Sequence, residues 1–320
     1  MSNIMVSVWV LAYNHQKYIR EALESFVTQE TDFAFEVLIN DDVSTDDTKK
    51  IISEYAEKYP DIIKPVFQKE NQYSKGVRIF TEILLPLSKG KYFAMCEGDD
   101  FWTDPHKLQK QVDYLEAHPE CSLCIHNSKY VKEDGSFLED HIITEESAVI
   151  PTDQIILGGG GFCSTNSIMA PIALAKNMPK CFDLLHLDYA WQTCLASMGT
   201  VYCFKDVMSA YRTFSEGSWS SQVEKGPADK IIANAKKNIE YLIAFDAETD
   251  EKYHEAVMQH ESFHLLAILF QSKSTDILKD PQYKAAYQYL SKKTKFQVYC
   301  KIHLPFLYGL LGKLLHKNKQ

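Results

Sequence analysis

The chain has 320 residues, of which 45% are hydrophobic and 24% are charged. This balance is typical of a globular protein with a sizeable core and excludes a largely disordered chain. The formal net charge of -9 argues against nucleic acid as a main partner. The charge is uneven, because residues 281–320 contain eight lysines and no Asp, Glu or Arg. We therefore expect an acidic body followed by a basic C-terminal segment.

The eight cysteines lie mostly among apolar neighbours, which predicts buried free thiols in a reducing compartment. Cys121 and Cys124 form a single C-x-x-C pair without suitably spaced histidines, so a core strand is favoured over a zinc site. The N-terminus shows no basic segment and no cleavage-like site, and no run of about 18 uncharged apolar residues predicts a membrane span. These features together predict a cytoplasmic protein.

Strand and helix patterns alternate along the first part of the chain. Short apolar, β-branched runs predict strands, and apolar residues at helical spacing predict helices. The predicted strands are residues 5–12, 35–40, 62–68, 92–96 and 122–130, and the predicted helices are residues 16–29, 45–59, 77–87 and 107–118. Thr45 is expected to cap the second helix. This alternation predicts an α/β fold with a mostly parallel central sheet flanked by helices, whose ligand lies beyond the carboxyl ends of the strands.

The second part of the chain changes character near residue 221. Before that point, the pattern predicts an irregular segment, a flexible glycine-rich loop, a helix and two short strands, at residues 132–151, 158–161, 188–198, 201–204 and 207–211. After it, residues 228–245 and 255–270 are predicted helices and strands largely disappear. We predict a sheet-containing domain over residues 1–221 and a helical C-terminal region over residues 222–320.

Two acidic segments follow predicted strands. Glu97, Asp99 and Asp100 place three carboxylates within four residues, and such a cluster is most stable when it holds a cation. Hard oxygen ligands select Mg²⁺ or Mn²⁺, which proteins often hold through one or two carboxylates and substrate phosphates. Asp41 and Asp42 provide acceptors for the N–H of a nucleobase or the hydroxyls of a ribose. The alternative for the segment 97–100 is a solvated acidic turn that caps the next helix, and the alternative for the segment 41–47 is a strand-to-helix turn with a capping Thr.

Three motifs follow one another in the chain. They are Val6-Ser7-Val8 with Ala12-Tyr13-Asn14, then Val37-Leu38-Ile39-Asn40-Asp41-Asp42-Val43-Ser44-Thr45-Asp46, then Gly90-Lys91-Tyr92 with Glu97-Gly98-Asp99-Asp100-Phe101-Trp102. In this order they resemble family 2 glycosyltransferases of the GT-A fold. The likeness covers residues 4–220. The E-G-D-D variant of the D-x-D motif, followed by an aromatic residue and Trp, is similar to bacterial enzymes that build capsular, lipopolysaccharide or other surface glycans.

The resemblance implies a metal-dependent, inverting transfer of a sugar from a nucleotide-diphosphate sugar. UDP is the favoured nucleotide, and the acceptor is a hydroxyl of a glycan or a lipid-linked sugar. By the same resemblance, Ala12, Tyr13 and Asn14 would line the base and ribose pocket that Asp41 and Asp42 contact. Asp99 would bind Mn²⁺ or Mg²⁺, with Glu97 in the place of the family's first Asp, and Asp100 would contribute through a water or a sugar hydroxyl.

The resemblance also assigns roles later in the chain. Asp188 matches the family's general base, and the alternative is a helix N-cap. Arg212 begins a loop that often closes over the donor and is expected to pair with the diphosphate, the alternative being an ion pair with a carboxylate. Phe214 replaces the family's usual histidine. The residues expected on the acceptor side are Thr165, Asn166 and Trp219.

The last residues of the chain allow two interpretations. Leucines on one stripe of residues 306–315, with lysines around them, are typical of a helix on an anionic membrane surface, here the inner face of the cell membrane, or of a terminal helix docked on the core.

Two other functions are alternatives to glycosyl transfer. A nucleotidyltransferase would normally have a glycine-rich basic loop after the first strand, where this chain has residues 12–16. A non-catalytic sugar-nucleotide-binding scaffold is the other alternative.

Overall fold

The computed structural model describes residues 4–185, 187–213 and 227–304. The chain forms two compact units, one of residues 1–178 and 186–218 and the other of residues 179–185 and 219–320. The boundary predicted at residue 221 lies outside the described residues and stays a prediction.

The first unit contains all the described strands. They are β1 (Ile4–Ala12), β2 (Ala34–Asp41), β3 (Ile63–Phe67), β4 (Tyr92–Glu97), β5 (Phe101–Trp102), β6 (Cys121–Val131), β7 (Phe137–His141), β8 (Ala148–Ile150), β9 (Met169–Pro171) and β10 (Thr200–Arg212). Its helices are α1 (Ile19–Val27), α2 (Thr48–Lys58), α3 (Leu85–Leu87), α4 (Lys107–Ala117), α5 (Thr152–Gly158), α6 (Ile172–Ala175) and α7 (Asp188–Ser197).

The strands form one sheet in the order β3-β2-β1-β4-β9-β6-β10-β5, with β7 paired to β6 and β8 to β10. Strands β1 to β4 pair in parallel, as do β6 and β10, whereas β9 is antiparallel between β4 and β6. The predicted α/β fold with a mostly parallel sheet is therefore confirmed. Because β9 reverses direction between two parallel groups, the carboxyl ends of β1, β2, β4, β6 and β10 lie at the same edge of the sheet.

The core of this unit lies between the sheet and the helices beside it. Strand β1 is almost fully buried from Val6 to Val10, as expected for a strand covered on both faces. Helix α1 presents Ile19, Leu23 and Phe26 to the same hydrophobic cluster. This packing holds the ends of β1, β2 and β4 in fixed positions.

The cysteines have the state that their apolar neighbours in the sequence predict. All eight are buried and free. Cys121 and Cys124 lie in β6, at 2% and 0% exposure, so the prediction of a core strand is confirmed.

Two predicted helices differ from the structure. Helix α2 begins at Thr48 with Asp47 at the N-cap position, so the prediction that Thr45 caps it is wrong. The reason is that Thr45 donates its backbone N–H and its hydroxyl to Asn14, at 2.8 and 3.2 Å. The segment 77–87 is a π-helical stretch, Ile79–Leu84, followed by the short α3.

Two predictions of strand content also need correction. Residues 132–151 are not wholly irregular, since they contain β7 and β8 as partners of β6 and β10. The two strands predicted at 201–204 and 207–211 are one strand, β10, whose register against β6 shifts between Phe204 and Val207. Because the residues at this register shift are polar, the sequence pattern there is like that of a strand end, and the prediction divided the strand.

The second unit is helical in its described part. It contains α8 (Ala228–Glu248), α9 (His254–Ser272), α10 (Pro281–Gln288) and α11 (Lys292–His303). The predicted helices at 228–245 and 255–270 are present, and they share a hydrophobic cluster with α10 and α11. None of the helices in the described parts of the chain combines the length and apolarity needed to cross a bilayer. The predicted basic helix after residue 304 lies outside the described residues.

Glu261 is a deeply buried acidic residue of α9. Glu261 is 2% exposed, and burial, followed by the charge of Asp246, raises its pKa from 4.5 to about 7. His254, which pairs with Asp246 at 2.6 Å, opposes the shift. The folded unit therefore favours the protonated form of Glu261.

Glu261→Gln should remove a pH dependence of stability. An unfolded Glu ionises near pH 4.5, whereas folded Glu261 stays protonated up to about pH 7. Its contribution to stability is thus complete below pH 4.5 and is lost as the pH rises to 7, by about 2–3 kcal/mol. Urea unfolding should show the variant more stable than wild type by this amount at pH 8 and nearly equal at pH 4. The exposed Glu255→Gln is the control, and a difference that is the same at both pH values would contradict the assignment.

Candidate active site

Strand register brings the acidic segments together at the carboxyl edge of the sheet. Ala12 at the end of β1 pairs with Asp41 at the end of β2, and Leu11 pairs with Glu97 at the end of β4. Side chains that follow these positions therefore surround one space beyond β1.

Asp41 and Asp42 have different surroundings. Both oxygens of Asp42 accept backbone N–H groups, from Gln72 at 2.7 Å and from Tyr73 at 3.0 Å, so this carboxylate anchors the segment after β3. Asp41 is 1% exposed, and its Oδ1 has no hydrogen-bond partner among the described residues. Because a buried carboxylate oxygen without a partner is costly, Asp41 is better suited than Asp42 to accept a hydrogen bond from a ligand.

The loops after β1 and β2 are joined by hydrogen bonds, and each contains a residue with a positive φ. Asn14 and Val43 have φ values of 56° and 66°, a region that a β-branched residue such as Val rarely adopts. The backbone N–H of Asn14 donates to Ser44 at 2.9 Å, and its side-chain oxygen accepts from Thr45. The adjacent Tyr13 is 49% exposed, so it is available to a ligand at this edge.

Gly98 sets the position of the acidic segment. Its N–H donates to the carbonyl oxygen of Leu11 at 2.8 Å. A Cβ atom at this position would lie 2.8 Å from His15 Nδ1 and 3.0 Å from Ile19 Cδ1. A side chain here would have to displace His15 or Ile19, so glycine suits this close approach to the end of β1, and the approach sets where Glu97 and Asp99 lie.

The carboxylates around Gly98 repel one another. Burial raises the pKa of Glu97 well above its usual range, and the charges of Asp188 and Asp99 raise it further. Burial also raises the pKa of Asp100, with Asp99 and Glu97 adding to the effect. The structure thus brings together four of the predicted residues, from two segments of the chain, into one negatively charged cluster.

Asp188 is the first residue of α7, and Leu187 occupies the N-cap position. The N-cap alternative for Asp188 is therefore not supported. Its Oδ2 accepts a hydrogen bond from Thr165 Oγ1 at 2.6 Å, and burial raises its pKa. A partly exposed carboxylate with a raised pKa beside an acidic motif suits proton transfer.

Arg212 is buried with its guanidinium occupied. It donates to Glu21 Oε2 at 2.7 Å and to the carbonyl oxygens of Asp99, Lys132 and Glu133 at 2.9, 3.1 and 2.8 Å. Its backbone N–H also donates to Asp100 Oδ1 at 2.7 Å. These contacts favour the ion-pair alternative, and pairing with a diphosphate stays a prediction.

Asn166 does not face an acceptor. Its side chain is fully buried and donates to Asp100 Oδ2 at 2.9 Å and to the Ala210 carbonyl at 3.0 Å, while Ser209 Oγ donates to its amide oxygen. Thr165 is 3% exposed, with its hydroxyl directed to Asp188. Because the Asn166 side chain is buried and fully hydrogen-bonded, the prediction that it contacts an acceptor is wrong. Trp219 and Phe214 lie outside the described residues.

Tyr211 is a site residue that the sequence did not single out. Burial raises its pKa, and the charges of Glu97, Asp100, Asp99 and Asp188 add to this shift in that order. The phenol of Tyr211 is therefore in the electrostatic field of the carboxylate cluster. The one sequence signal was its place directly before Arg212.

The carboxylates suit a divalent ion that is shared with a substrate. Among the described residues, no three His, Cys, Asp or Glu side chains are arranged to hold a metal ion by themselves. Mg²⁺ and Mn²⁺ sites in phosphate-processing enzymes need one or two carboxylates, with phosphate and water completing the set. Glu97 and Asp99, which are partly exposed and repel each other, fit this second arrangement.

A surface depression lies beside the site. It has a volume of about 570 Å³ and is lined by Lys17, Tyr18, Glu21, Lys132, Glu133, Asp134 and Arg212. Arg212 lines this depression and also donates hydrogen bonds to Asp99 and Asp100.

The mostly parallel sheet with an acidic cluster at its carboxyl edge defines an α/β protein with a candidate site at that edge. Residues 7–167, about half of the chain, match the family model described as Glycosyl transferase family 2. This chain therefore belongs to glycosyl transferase family 2, and its fold is GT-A-like.

The similar proteins include one of unknown role and one with a named activity. An uncharacterised protein of Mycobacterium tuberculosis is 35% identical over 220 residues, which cover 68% of this chain and 61% of that protein. The chain thus spans less than two thirds of that relative's length. A UDP-Glc:alpha-D-GlcNAc-diphosphoundecaprenol beta-1,3-glucosyltransferase of Escherichia coli is 34% identical over 113 residues, which cover 35% of this chain and 42% of that enzyme.

A solved structure supports the fold. TarS of S. aureus, residues 1–349 in complex with UDP-GlcNAc, superposes with a TM-score of 0.60 at 18% sequence identity, covering 91% of this chain and 83% of that one. At this identity the likeness shows the fold alone.

Proposed function

We propose that this chain transfers a sugar from a nucleotide-diphosphate sugar to a hydroxyl of a glycan or lipid-linked acceptor, in the synthesis of a bacterial cell-surface polysaccharide. The observation that carries the proposal is the cluster of Glu97, Asp99, Asp100 and Asp188 at the carboxyl edge of a family 2 fold. The Escherichia coli relative, whose name states a UDP-Glc donor and a lipid-linked acceptor, supports UDP and this acceptor class.

In this proposal the donor nucleotide occupies the space beyond β1. Asp41, with its unpartnered buried oxygen, accepts a hydrogen bond from the base or ribose. Ala12, Tyr13 and Asn14 line the same pocket, and Asp42 holds the segment after β3 that borders it.

Glu97 and Asp99 would hold Mn²⁺ or Mg²⁺ against the diphosphate. The ion supplies positive charge that stabilises the departing nucleoside diphosphate. Asp100 and Arg212 contribute by fixing the backbone of Asp99, since Arg212 donates to both residues.

Asp188 takes the proton of the acceptor hydroxyl. The hydroxyl oxygen forms a bond to the anomeric carbon of the sugar as the bond from that carbon to the diphosphate breaks. The bonding electrons leave with the nucleoside diphosphate, and the proton passes to the Asp188 carboxylate. A single displacement of this kind inverts the anomeric configuration.

We further propose a cytoplasmic enzyme that meets a lipid-linked acceptor at the inner face of the membrane. The basic C-terminal segment, with eight lysines in residues 281–320, is the feature that supports peripheral contact through an anionic lipid surface.

Calorimetric binding of UDP, GDP, CDP and dTDP, each with Mn²⁺ and with EDTA, tests the donor site. We expect one nucleotide, UDP first, to bind in the presence of metal and not with EDTA. Asp99→Asn should weaken that binding by about 10- to 100-fold or more, because a metal ligand is lost. Asp113→Asn, an exposed carboxylate of α4, should bind as wild type does. A folded wild-type protein that binds none of the four nucleotides would contradict the proposal.

A further inference from the structure

Two neighbouring residues of one short turn each hold a different carboxylate of the site. The turn is the 3₁₀ segment Thr165–Ser167 that precedes β9. Thr165 Oγ1 donates to Asp188 Oδ2 at 2.6 Å, and Asn166 Nδ2 donates to Asp100 Oδ2 at 2.9 Å. Asp100 follows β4, and Asp188 begins α7. The turn therefore connects two segments of the site that are distant in the chain.

The turn is fixed from behind by buried hydrogen bonds. Trp102 Nε1 donates to the Asn166 carbonyl at 3.0 Å, and Gln111 Nε2 donates to the Ser167 carbonyl at 2.9 Å. Gln111 in turn accepts from the fully buried Lys107 at 2.7 Å. Buried hydrogen bonds of this kind are costly to break and keep a backbone segment in one position.

The side chains of the turn have little capacity left for a substrate. Asn166 is 0% exposed and also bonds to Ser209 and Ala210. Thr165 is 3% exposed and uses its hydroxyl proton on Asp188. Groups that are buried and engaged in this way act through the residues they hold.

We propose that the turn Thr165–Ser167 is a positioning element that holds Asp188 in a set relation to the acidic segment through Thr165 and Asn166. The inference rests on the proposed function, in which Asp188 takes the proton of the acceptor. Displacing a catalytic group by about 1 Å can cost about 100-fold in rate, so the hydroxyl of Thr165 affects catalysis without contacting a substrate.

Thr165→Val and Thr165→Ser test the proposal. Val has nearly the shape of Thr but lacks the hydroxyl, whereas Ser keeps the hydroxyl and lacks the methyl group. We expect Thr165→Val to lower kcat for release of the nucleoside diphosphate by about 10- to 100-fold and to leave calorimetric nucleotide affinity within about twofold of wild type. Thr165→Ser should recover kcat to within about threefold of wild type. Thr165→Ala, which cannot overpack the site, repeats the test if Thr165→Val does not fold.

Ser122→Ala is the matched control. Ser122 is a buried hydroxyl of the same unit that donates to the Leu195 and Thr200 carbonyls and contacts no carboxylate. The proposal is overturned if Thr165→Val keeps wild-type kcat, if Thr165→Ser loses as much as Thr165→Val, or if Ser122→Ala shows the same loss. If the wild-type protein binds no nucleotide by calorimetry, the proposed function itself is contradicted. This measurement precedes the comparison of variants, so the two failures are distinguishable.

Discussion

Asp188→Asn should lower the rate of sugar transfer by about 10²–10⁴ while the donor still binds. The amide cannot accept the acceptor proton, and the loss of a general base typically costs about 10²–10⁴ in rate. Asn keeps an oxygen that accepts from Thr165, so the local structure should be retained. Removing the charge also relieves Glu97, whose pKa is raised in part by Asp188. Nucleotide and metal affinity should therefore be equal to wild type or slightly higher, measured by calorimetry beside the kcat for transfer.

Asp153→Asn is the control for this experiment. Asp153 also lies in the first turn of a helix, α5, but is exposed, and its variant should transfer sugar at the wild-type rate. A transfer rate in Asp188→Asn within about tenfold of wild type would exclude Asp188 as the base. A wild-type protein that binds nucleotide and transfers nothing would favour the non-catalytic scaffold.

The sheet and the acidic edge were predictable because both depend on local patterns. Buried parallel strands are continuous apolar runs, such as residues 5–12, and polar residues at their carboxyl ends share one edge of the sheet. The grouping of Asp41 with Glu97 beyond β1 follows from these rules alone. The irregular strand β10 was divided in two by the same rules, since a shift in register interrupts the apolar pattern.

The roles of individual polar side chains were not predictable in this way. Asp41 and Asp42 are identical neighbours in the sequence, yet Asp42 anchors the backbone of Gln72 and Tyr73 while Asp41 keeps an unpartnered oxygen. Asn166 is a polar residue in a loop-like segment of the sequence, which is typical of ligand contacts, but its side chain is buried and donates to Asp100. These differences depend on contacts between segments far apart in the chain, and a single sequence holds no record of them.

Arg212 is the clearest case, because its partners come from separate parts of the first unit. Its guanidinium is 2% exposed and joins Glu21 of α1 to the acidic segment and to the end of β6. Tyr18 lies below it, with the guanidinium carbon 4.8 Å from the ring centroid. This geometry is that of a structural arginine, whereas the resemblance to the family assigns it to the diphosphate.

Arg212→Met should lower the free energy of unfolding by about 3 kcal/mol, measured by urea unfolding. The change removes the Arg212 donor from three carbonyl oxygens. The Lys132 carbonyl still accepts the Gly135 N–H at 2.9 Å, whereas the Asp99 and Glu133 carbonyls lose their donor, at about 1–3 kcal/mol for each one that water cannot reach. The half-exposed Glu21 can be solvated. Arg20→Met is the matched control. Its ion pair with Glu54 at 3.1 Å is about half exposed and should contribute at most about 1 kcal/mol. If Arg212→Met costs no more than Arg20→Met but sharply weakens nucleotide binding, Arg212 is a diphosphate ligand and not a structural residue.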